Sequence, residues 1–534
     1  MPTAINSAFL RLTRRAEIND RQKLASIFVD VGPLFALLSS HDHQVVFGRR
    51  GTGKTHVLSY LADRVAANGD LAIYIDVRTV GSTGGLYADV AIPLPERATR
   101  LLVDLLLHMH DSLVDQALAD TAPINLAAAG PLLDSLAETI TRIRVEGTVE
   151  QASTARAAAQ HEREQGVGLQ AGVDGAAKLS GHADARTAQT AEAEQTWAQA
   201  GTPRHVVHFG AVGRILTQLV RSVEPHRLWL LMDEWSHIPL DLQPIVADFM
   251  RRCLLPVRGL TVKVAAIEQR TSLMLLLPDG SYMGLELGAD IAADVNLDDF
   301  MVFENDEERA KSFFTELIYK HCLGLENTDL GEAGRTSQEL IRLAFTQRNV
   351  FGEFVRAAEG VPRDAINTLI LAARRADMRA ISMTDLRASA RDWYQRDKAT
   401  TVRANTEAFA LLHWIIDKVI GERRARAFLL RTDVRHSLID ALFDSRVLHI
   451  LKRNISAHDQ PGVRYDAYKL DYGCYVDLIN TARDTQGLFA CVDMANGTGQ
   501  IPYIDVPPDD YRSIRRAILD LTEFERRPGI EENQ

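Results

Sequence analysis

Short apolar runs alternate with amphipathic stretches along the first half of the chain. Val45-Val46-Phe47 is apolar and stops at a glycine-rich turn, and His56-Val57-Leu58-Ser59-Tyr60-Leu61 beyond it opens a helical pattern. After the turn Asn68-Gly69-Asp70, Leu71 to Val77 is rich in β-formers and predicts a buried strand. Strand, helix and strand in this order predict a parallel sheet with covering helices. Glu96 to Leu118 has apolar residues at helical spacing, and a second helix is predicted over Pro131 to Ile143, with the proline in its first turn. His205 to Val220 holds a strand-like VVHF and a helix. Leu228 to Met232 is apolar throughout and ends in Asp233-Glu234. A helix over Leu242 to Leu254 and a strand over Leu260 to Ile267 follow, and helices dominate from Asp306 to Ala390. Upstream of the first strand, Ala25 to Leu38 predicts a strand or turn entering a short helix.

Two regions depart from this rhythm. Residues 146–202 are rich in Ala, Gln, Glu, Thr and Gly and have almost no large apolar residues, so they cannot bury much core. They predict a flexible or partly helical surface insertion. A coiled-coil arm would need a heptad, and none survives Gly166-Val167-Gly168. Beyond residue 400, helices are predicted over Glu407 to Val419, Glu422 to Leu430 and His436 to Ser445. Val447 to Ile455 and Arg464 to Leu470 then predict a hairpin across Ser456 to Val463. The end of the chain predicts a strand (Ile501 to Val506), a helix (Asp509 to Glu523) and a charged tail.

Composition narrows the class. A chain of 534 residues is long enough for two or three domains. Hydrophobic residues at 46% and charged residues at 25% match soluble globular usage. A net charge of −11 argues against a surface basic all over, but leaves room for a local basic patch. Cys253, Cys322, Cys474 and Cys491 form no C-x-x-C pair, which argues against structural zinc or a disulfide framework and fits a reducing compartment. No apolar run is long enough to span a bilayer, and the N-terminus lacks the apolar core of a signal peptide, so the expected location is cytoplasmic.

The chemistry is concentrated at the first turn. Gly48-Arg49-Arg50-Gly51-Thr52-Gly53-Lys54-Thr55 fits G-x-x-x-x-G-K-[ST], the phosphate-cradling P-loop, and His56 follows it. Glycines let backbone N–H groups line an anion nest, and the next helix turns its positive end towards the same phosphates. Lys54 would reach the β- and γ-phosphates, and Thr55 would ligate Mg²⁺. A glycine turn that binds nothing is the alternative, but it does not need a strand before it and a helix after it. The run ending in Asp233-Glu234 suits a Walker B strand, in which Asp233 holds the metal's hydration shell and Glu234 polarises a water. Glu268-Gln269-Arg270 follow the next strand and either face the γ-phosphate or form a charged exit from it. Arg363, after Pro362, stands in the first turn of a predicted helix.

Together these residues resemble the AAA+ ATPases, most of all the origin-recognition-complex and initiator-loader clade or its signalling-type relatives. GRRGTGKT (Gly48 to Thr55) is similar to Walker A, LWLLMDE (Leu228 to Glu234) to Walker B, and GVPRDAINTL (Gly360 to Leu369) to sensor 2. The resemblance implies an α/β fold, with a P-loop parallel sheet over residues 1–304, a helical lid over 305–400 and a winged-helix-like domain over 401–534. It implies an ATP- and Mg²⁺-dependent ATPase in which Lys54 and Glu234 are catalytic, Thr55 and Asp233 hold metal, and Arg363 contacts phosphate. It further implies nucleotide-dependent homo-oligomers and DNA engagement through residues 403–480. Two departures are visible. Glu268-Gln269 occupy the sensor 1 place, usually Asn, Thr or Ser, and an arginine finger could be Arg251, Arg252 or Arg270 alike. In addition, the predicted recognition helix carries Asp440 and Asp444, so a slow switch or scaffold that recruits a protein partner without DNA stays open.

Overall fold

The computed structural model describes residues 2–526 except 16–20, 31, 82–86, 88, 120–123, 147–201, 206, 301–305, 326–329, 423–424, 435, 457–461 and 481–517. In chain order the strands of the first part are β1 (Gln44–Phe47), β2 (Leu71–Asp76), β3 (Ile143–Glu146), β4 (Thr202–His205), β5 (Leu228–Asp233), β6 (Leu260–Ala266), β7 (Met274–Leu276), β8 (Tyr282–Gly284) and β9 (Ala292–Asn296). Five of them form one parallel sheet in the order β2-β5-β6-β1-β9. β5 and β6 are buried at every position, which is why they read as unbroken apolar runs. Along β5, Leu228, Leu230 and Met232 join the core under the helices Leu94–Leu118, Leu126–Thr141 and Phe209–Ser222. The alternate residues Trp229 and Leu231 pack against Leu61, Ala62 and Val65 of the helix Lys54–Ala67 on the other face. All five strands therefore deliver their carboxyl ends to one edge, where ligands of open parallel sheets sit.

Some predicted elements change identity. Among its described residues, Ala25 to Leu38 contains no strand. It holds the end of a helix Arg21–Ile27 and a second helix Leu34–Leu38, because Leu24, Ile27 and Phe28 are buried at helical spacing. Pro131 lies inside the helix Leu126–Thr141, not in its first turn. Asn125 caps the start by accepting from the Ala127 N–H, and the buried stripe Ala129, Leu133, Leu136 and Ile140 outweighs the bond Pro131 cannot make. The strand predicted at VVHF forms earlier, as β4, which pairs antiparallel with β3. Between those two strands, residues 147–201 of the polar insertion lie outside the described residues.

The region predicted as a lid consists of the helices Glu307–Leu323, Ser337–Ala344, Arg348–Ala357, Pro362–Ala376 and Met383–Trp393, packed around Phe314, Leu340, Phe354, Leu369 and Leu386. The helix Pro2–Leu10 shares this core through Ile5 and Phe9, and the Asn6 side chain donates to the carbonyls of Asp377 and Arg379 at 2.6 and 2.9 Å.

A C-terminal module follows. Its helix Thr406–Ile416 leads to β10 (Ala427–Arg431), a helix Ser437–Asp444, β11 (Leu448–Ser456), β12 (Arg464–Leu470) and a helix Tyr472–Asn480. The antiparallel sheet runs β10-β12-β11, so the predicted hairpin is present. The predicted helix Glu422 to Leu430 instead contributes β10, because Ala427 to Leu430 are all buried and can pair with β12. Among the described residues a single helix separates β10 from β11, so no two-helix turn presents a recognition helix there. Tyr465, Tyr472 and Tyr475 are buried, and Tyr468 stacks on Phe428, so these rings belong to the core. The predicted strand Ile501 to Val506 lies outside the described residues. Of the predicted helix Asp509 to Glu523, the described end instead forms a bridge from Ile518 to Leu429 and one helical turn at Thr522–Glu525.

Candidate functional site

The glycine-rich loop leaves β1 at the carboxyl edge of the sheet and closes one side of a cavity of about 330 Å³. Gly51 and Gly53 take φ of +87° and +100°, which side chains disfavour, and Gly53 is the residue before the helix Lys54–Ala67. The loop backbone and the helix start thus face one concave space, the geometry of an anion nest. The lid closes the opposite side. The Arg363 N–H donates to the Gly51 carbonyl at 3.3 Å, and a Cβ added at Gly51 would stand 2.8 Å from the Arg363 Cβ. Gly51→Ala is therefore expected to strain the loop and push the Arg363 helix away, weakening the binding of an anionic ligand in the cavity about tenfold, a difference of about 1.4 kcal/mol. Calorimetric titration checks this, and unchanged affinity would contradict the contact.

Lys54 is buried, and its ammonium donates to the carbonyls of Gly48 and Arg49 at 2.8 and 3.0 Å. Burial lowers its pKa, and the charges of Glu234 and Asp233 counteract that. Asp233 at the end of β5 is fully buried. It accepts from the Tyr74 hydroxyl at 2.7 Å, from the Glu234 N–H at 2.8 Å and from the Thr55 hydroxyl. Burial raises its pKa despite these bonds. The donor set fits Mg²⁺, because a buried carboxylate and a P-loop hydroxyl already meet beside the phosphate nest.

Glu234 takes a left-handed φ of 58° that turns its carboxylate into the cavity. Its Oε2 lies 3.2 Å from His237 Nδ1, and its Oε1 lies 3.7 Å from Arg78 Nη1. Burial pushes this carboxyl up, but the His237 hydrogen bond and the charges of Lys54 and Arg78 outweigh it and bring it down to about 2. Arg78 itself is held by a two-pronged pair with Asp76 at the end of β2. Neither Arg78 nor His237 was singled out from the sequence. The available signal was positional: one follows a predicted strand, and the other stands three residues after Glu234.

Of the residues predicted from sequence, Arg50, Gly51, Thr52, Gly53, Lys54, Thr55, His56, Glu234 and Arg363 line the cavity. Arg14, Arg15 and Arg78 add positive charge to a lining whose carboxylate, among the described residues, is Glu234. Leu24, Ile27, Phe28, Leu34, Phe313 and Leu317 add apolar surface to the lining. His56 Nε2 donates to the Leu24 carbonyl at 2.6 Å, and its ring meets Phe28 edge-on. Gly48, Arg49 and Asp233 do not line the cavity. Arg49 points away from it to Asp298, with which it pairs at 2.7 Å. Glu268 pairs with Arg453 at 2.7 Å, Arg270 with Asp444, and Arg251 and Arg252 both with Asp248.

Several buried histidines set a pH dependence. Burial, with the neighbouring His56, lowers His321 to about 4, and burial, with the charge of Arg49, lowers His449 to about 3. The unfolded chain takes up these protons from about pH 6.5 downwards and the folded chain does not, so stability is full above pH 6.5 and falls with acid. Each ring is expected to remove about 1–2 kcal/mol between pH 7 and pH 5. Asp233, Glu268 and Asp299, raised by burial, gain protons in the folded state first and temper the fall at its acid end. Thermal melting should show a lower midpoint at pH 5 than at pH 7; an equal or higher one would contradict this.

Residues 12–81 match the family described as ORC-CDC6-like. No curated protein matches the sequence. Among solved structures, a Walker-type ATPase of Pyrococcus abyssi is similar at 12% identity and a TM-score of 0.34, over 89% of this chain and 100% of that one. Cdc6p from Pyrobaculum aerophilum is similar at 10% identity and 0.30, over 89% and 97%. The Aeropyrum pernix ORC1 protein, solved in complex with DNA, is similar at 14% identity and 0.30, over 86% and 95%. The fold stands on the strand pairing of the chain itself. Among the described residues, no helix is long and apolar enough to cross a membrane.

Proposed function

We propose that this chain, whose residues 12–81 resemble the ORC-CDC6-like proteins, binds ATP with Mg²⁺ between the P-loop and the lid and hydrolyses it. The observation that carries this reading is one cavity holding the P-loop, Glu234 and Arg363 together, with both cationic and apolar side chains in its lining. The apolar lining residues suit a base, and the cationic ones suit a triphosphate. Mg²⁺, when bound, would neutralise phosphate charge beside Thr55 and Asp233. Lys54 leaves the carbonyls of Gly48 and Arg49 to meet the phosphates. Arg363 approaches from the lid. Glu234 stays ionised and orients the attacking water, with Arg78 and His237 fixing its carboxylate.

The nucleotide state then drives assembly of copies of the chain or engagement of a partner. Supporting assembly is an exposed apolar row, Met274, Leu275, Leu276 and Leu277, on the β7–β8 hairpin. A second reading, a slow switch that recruits a protein partner, has its own support. Glu268 is tied to Arg453, and Glu234 is held as a very weak base. The same Arg453 pair turns one basic residue of the hairpin inward, away from DNA. Turnover of many ATP per minute without a partner would exclude the slow switch. For DNA, a shift assay on the full chain across salt concentrations decides. Engagement through residues 403–480 predicts retention at physiological salt, and retention only at very low salt rules out specific binding.

A further inference from the structure

The two segments that flank the phosphate end of the cavity are joined through the C-terminal module by one chain of buried charges. Arg49 sits beside Arg50 of the P-loop. Its Nε pairs with Asp298 Oδ1 at 2.7 Å, and its Nη1 donates to the Leu448 carbonyl at 3.2 Å and to His449 Nδ1 at 2.5 Å. That leaves the proton of His449 on Nε2, 3.0 Å from Asp471 Oδ2. Asp471 also pairs with Lys398, whose ammonium lies 2.8 Å from Asp364 Oδ2. Arg446 Nη1 donates to Asp364 Oδ1 at 2.5 Å, and its Nη2 to Asp397. Asp364 stands next to Arg363 in the first turn of the helix Pro362–Ala376. Arg49, His449, Asp471, Lys398 and Asp364 are each at most 3% exposed.

Such a chain is costly to interrupt, because removing one member leaves a buried charge without its partner. It also spends Arg49, a P-loop cation, on the module instead of on phosphate. The loop and the lid meet directly at Gly51 and Arg363. A phosphate that shifts Arg50 or Arg363 therefore pulls on Arg49 or Asp364, and through them on β11 and the turn after β12. An interface that only filled space would need no charges at these places.

We propose that His449 and Arg446 of the C-terminal module are positioning residues of the nucleotide site, holding Arg49 and the start of the Arg363 helix so that nucleotide affinity depends on how the module is docked. The inference rests on the ATP-binding reading above. By linkage, whatever ligand displaces the module changes ATP affinity by the same factor as ATP changes that ligand's affinity.

The test uses the full chain, with ATP·Mg²⁺ binding and turnover measured for wild type, His449→Leu, His449→Gln and Arg446→Met. His449→Leu and Arg446→Met should weaken ATP binding about tenfold, within the usual range of coupling between sites, and raise KM more than they lower kcat. His449→Gln should restore binding, because its amide accepts from Arg49 and donates to Asp471. Hydrogen exchange of wild-type β11 and β12 with and without ATP·Mg²⁺ needs no variant to fold, and nucleotide should increase protection there. Background ATP binding by wild type overturns the ATP reading and this inference with it. Normal wild-type binding with unchanged exchange in β11 and β12, or with unchanged affinity in a folded His449→Leu, overturns this inference alone.

Discussion

Lys54→Ala is expected to weaken ATP·Mg²⁺ binding about 100-fold, the loss of one or two hydrogen bonds to a charged group at about 1.5–3 kcal/mol each. The ammonium is buried against the loop, where it caps the carbonyls of Gly48 and Arg49. Alanine therefore removes the phosphate contact and also leaves two inward carbonyls without their donor. The second effect predicts a lower melting temperature without nucleotide, since an unsatisfied buried acceptor costs about 1–3 kcal/mol. Lys54→Arg is not expected to rescue binding, because a planar fork does not fit the place of a compact ammonium. Calorimetric titration measures the first effect and thermal melting the second. Affinity within about threefold of wild type, a change of under 1 kcal/mol, would remove Lys54 from the phosphate site.

Glu234→Gln is expected to leave ATP bound and stop its turnover, with kcat falling about 10²–10⁴-fold and affinity nearly unchanged. Glutamine keeps the shape of the side chain and its hydrogen-bonding reach to His237 but removes the negative charge. With its pKa held at about 2, Glu234 is ionised throughout the working range, so its own titration adds no acid limb to turnover between pH 5 and 8. A carboxylate that weak as a base contributes mainly by orienting and polarising water. His237→Ala should accordingly raise the Glu234 pKa towards its ordinary value and cost less activity than Glu234→Gln. Turnover by Glu234→Gln within tenfold of wild type would place the water-handling group elsewhere.

Much of the site could be read from the chain because its chemistry is local in sequence. Gly48 to Thr55 is continuous, and the glycines that permit positive φ at 51 and 53 are the same ones that spell the motif. The strand Leu228–Asp233 was legible because a strand covered on both faces becomes an unbroken apolar run. The failures have physical causes too. Residues 427–430 are apolar in succession, which suits a helix or a buried strand equally until β12 supplies the pairing. Pro131 misled because a cap six residues earlier and a buried stripe decide where that helix starts. Spacing alone places Arg49 in the phosphate-cradling loop. Its true partners, Asp298 and His449, are far away in sequence. The same is true of Asp364, Lys398 and Asp471, which no local pattern joins.

The cavity between the P-loop and the lid is proposed as a nucleotide site. Equilibrium titration of the full-length wild-type chain with ATP·Mg²⁺, run beside Lys54→Ala, tests it most directly. Wild type is expected to bind saturably, and Lys54→Ala to bind about 100-fold more weakly. Background binding by wild type, or equal binding by both, would contradict it.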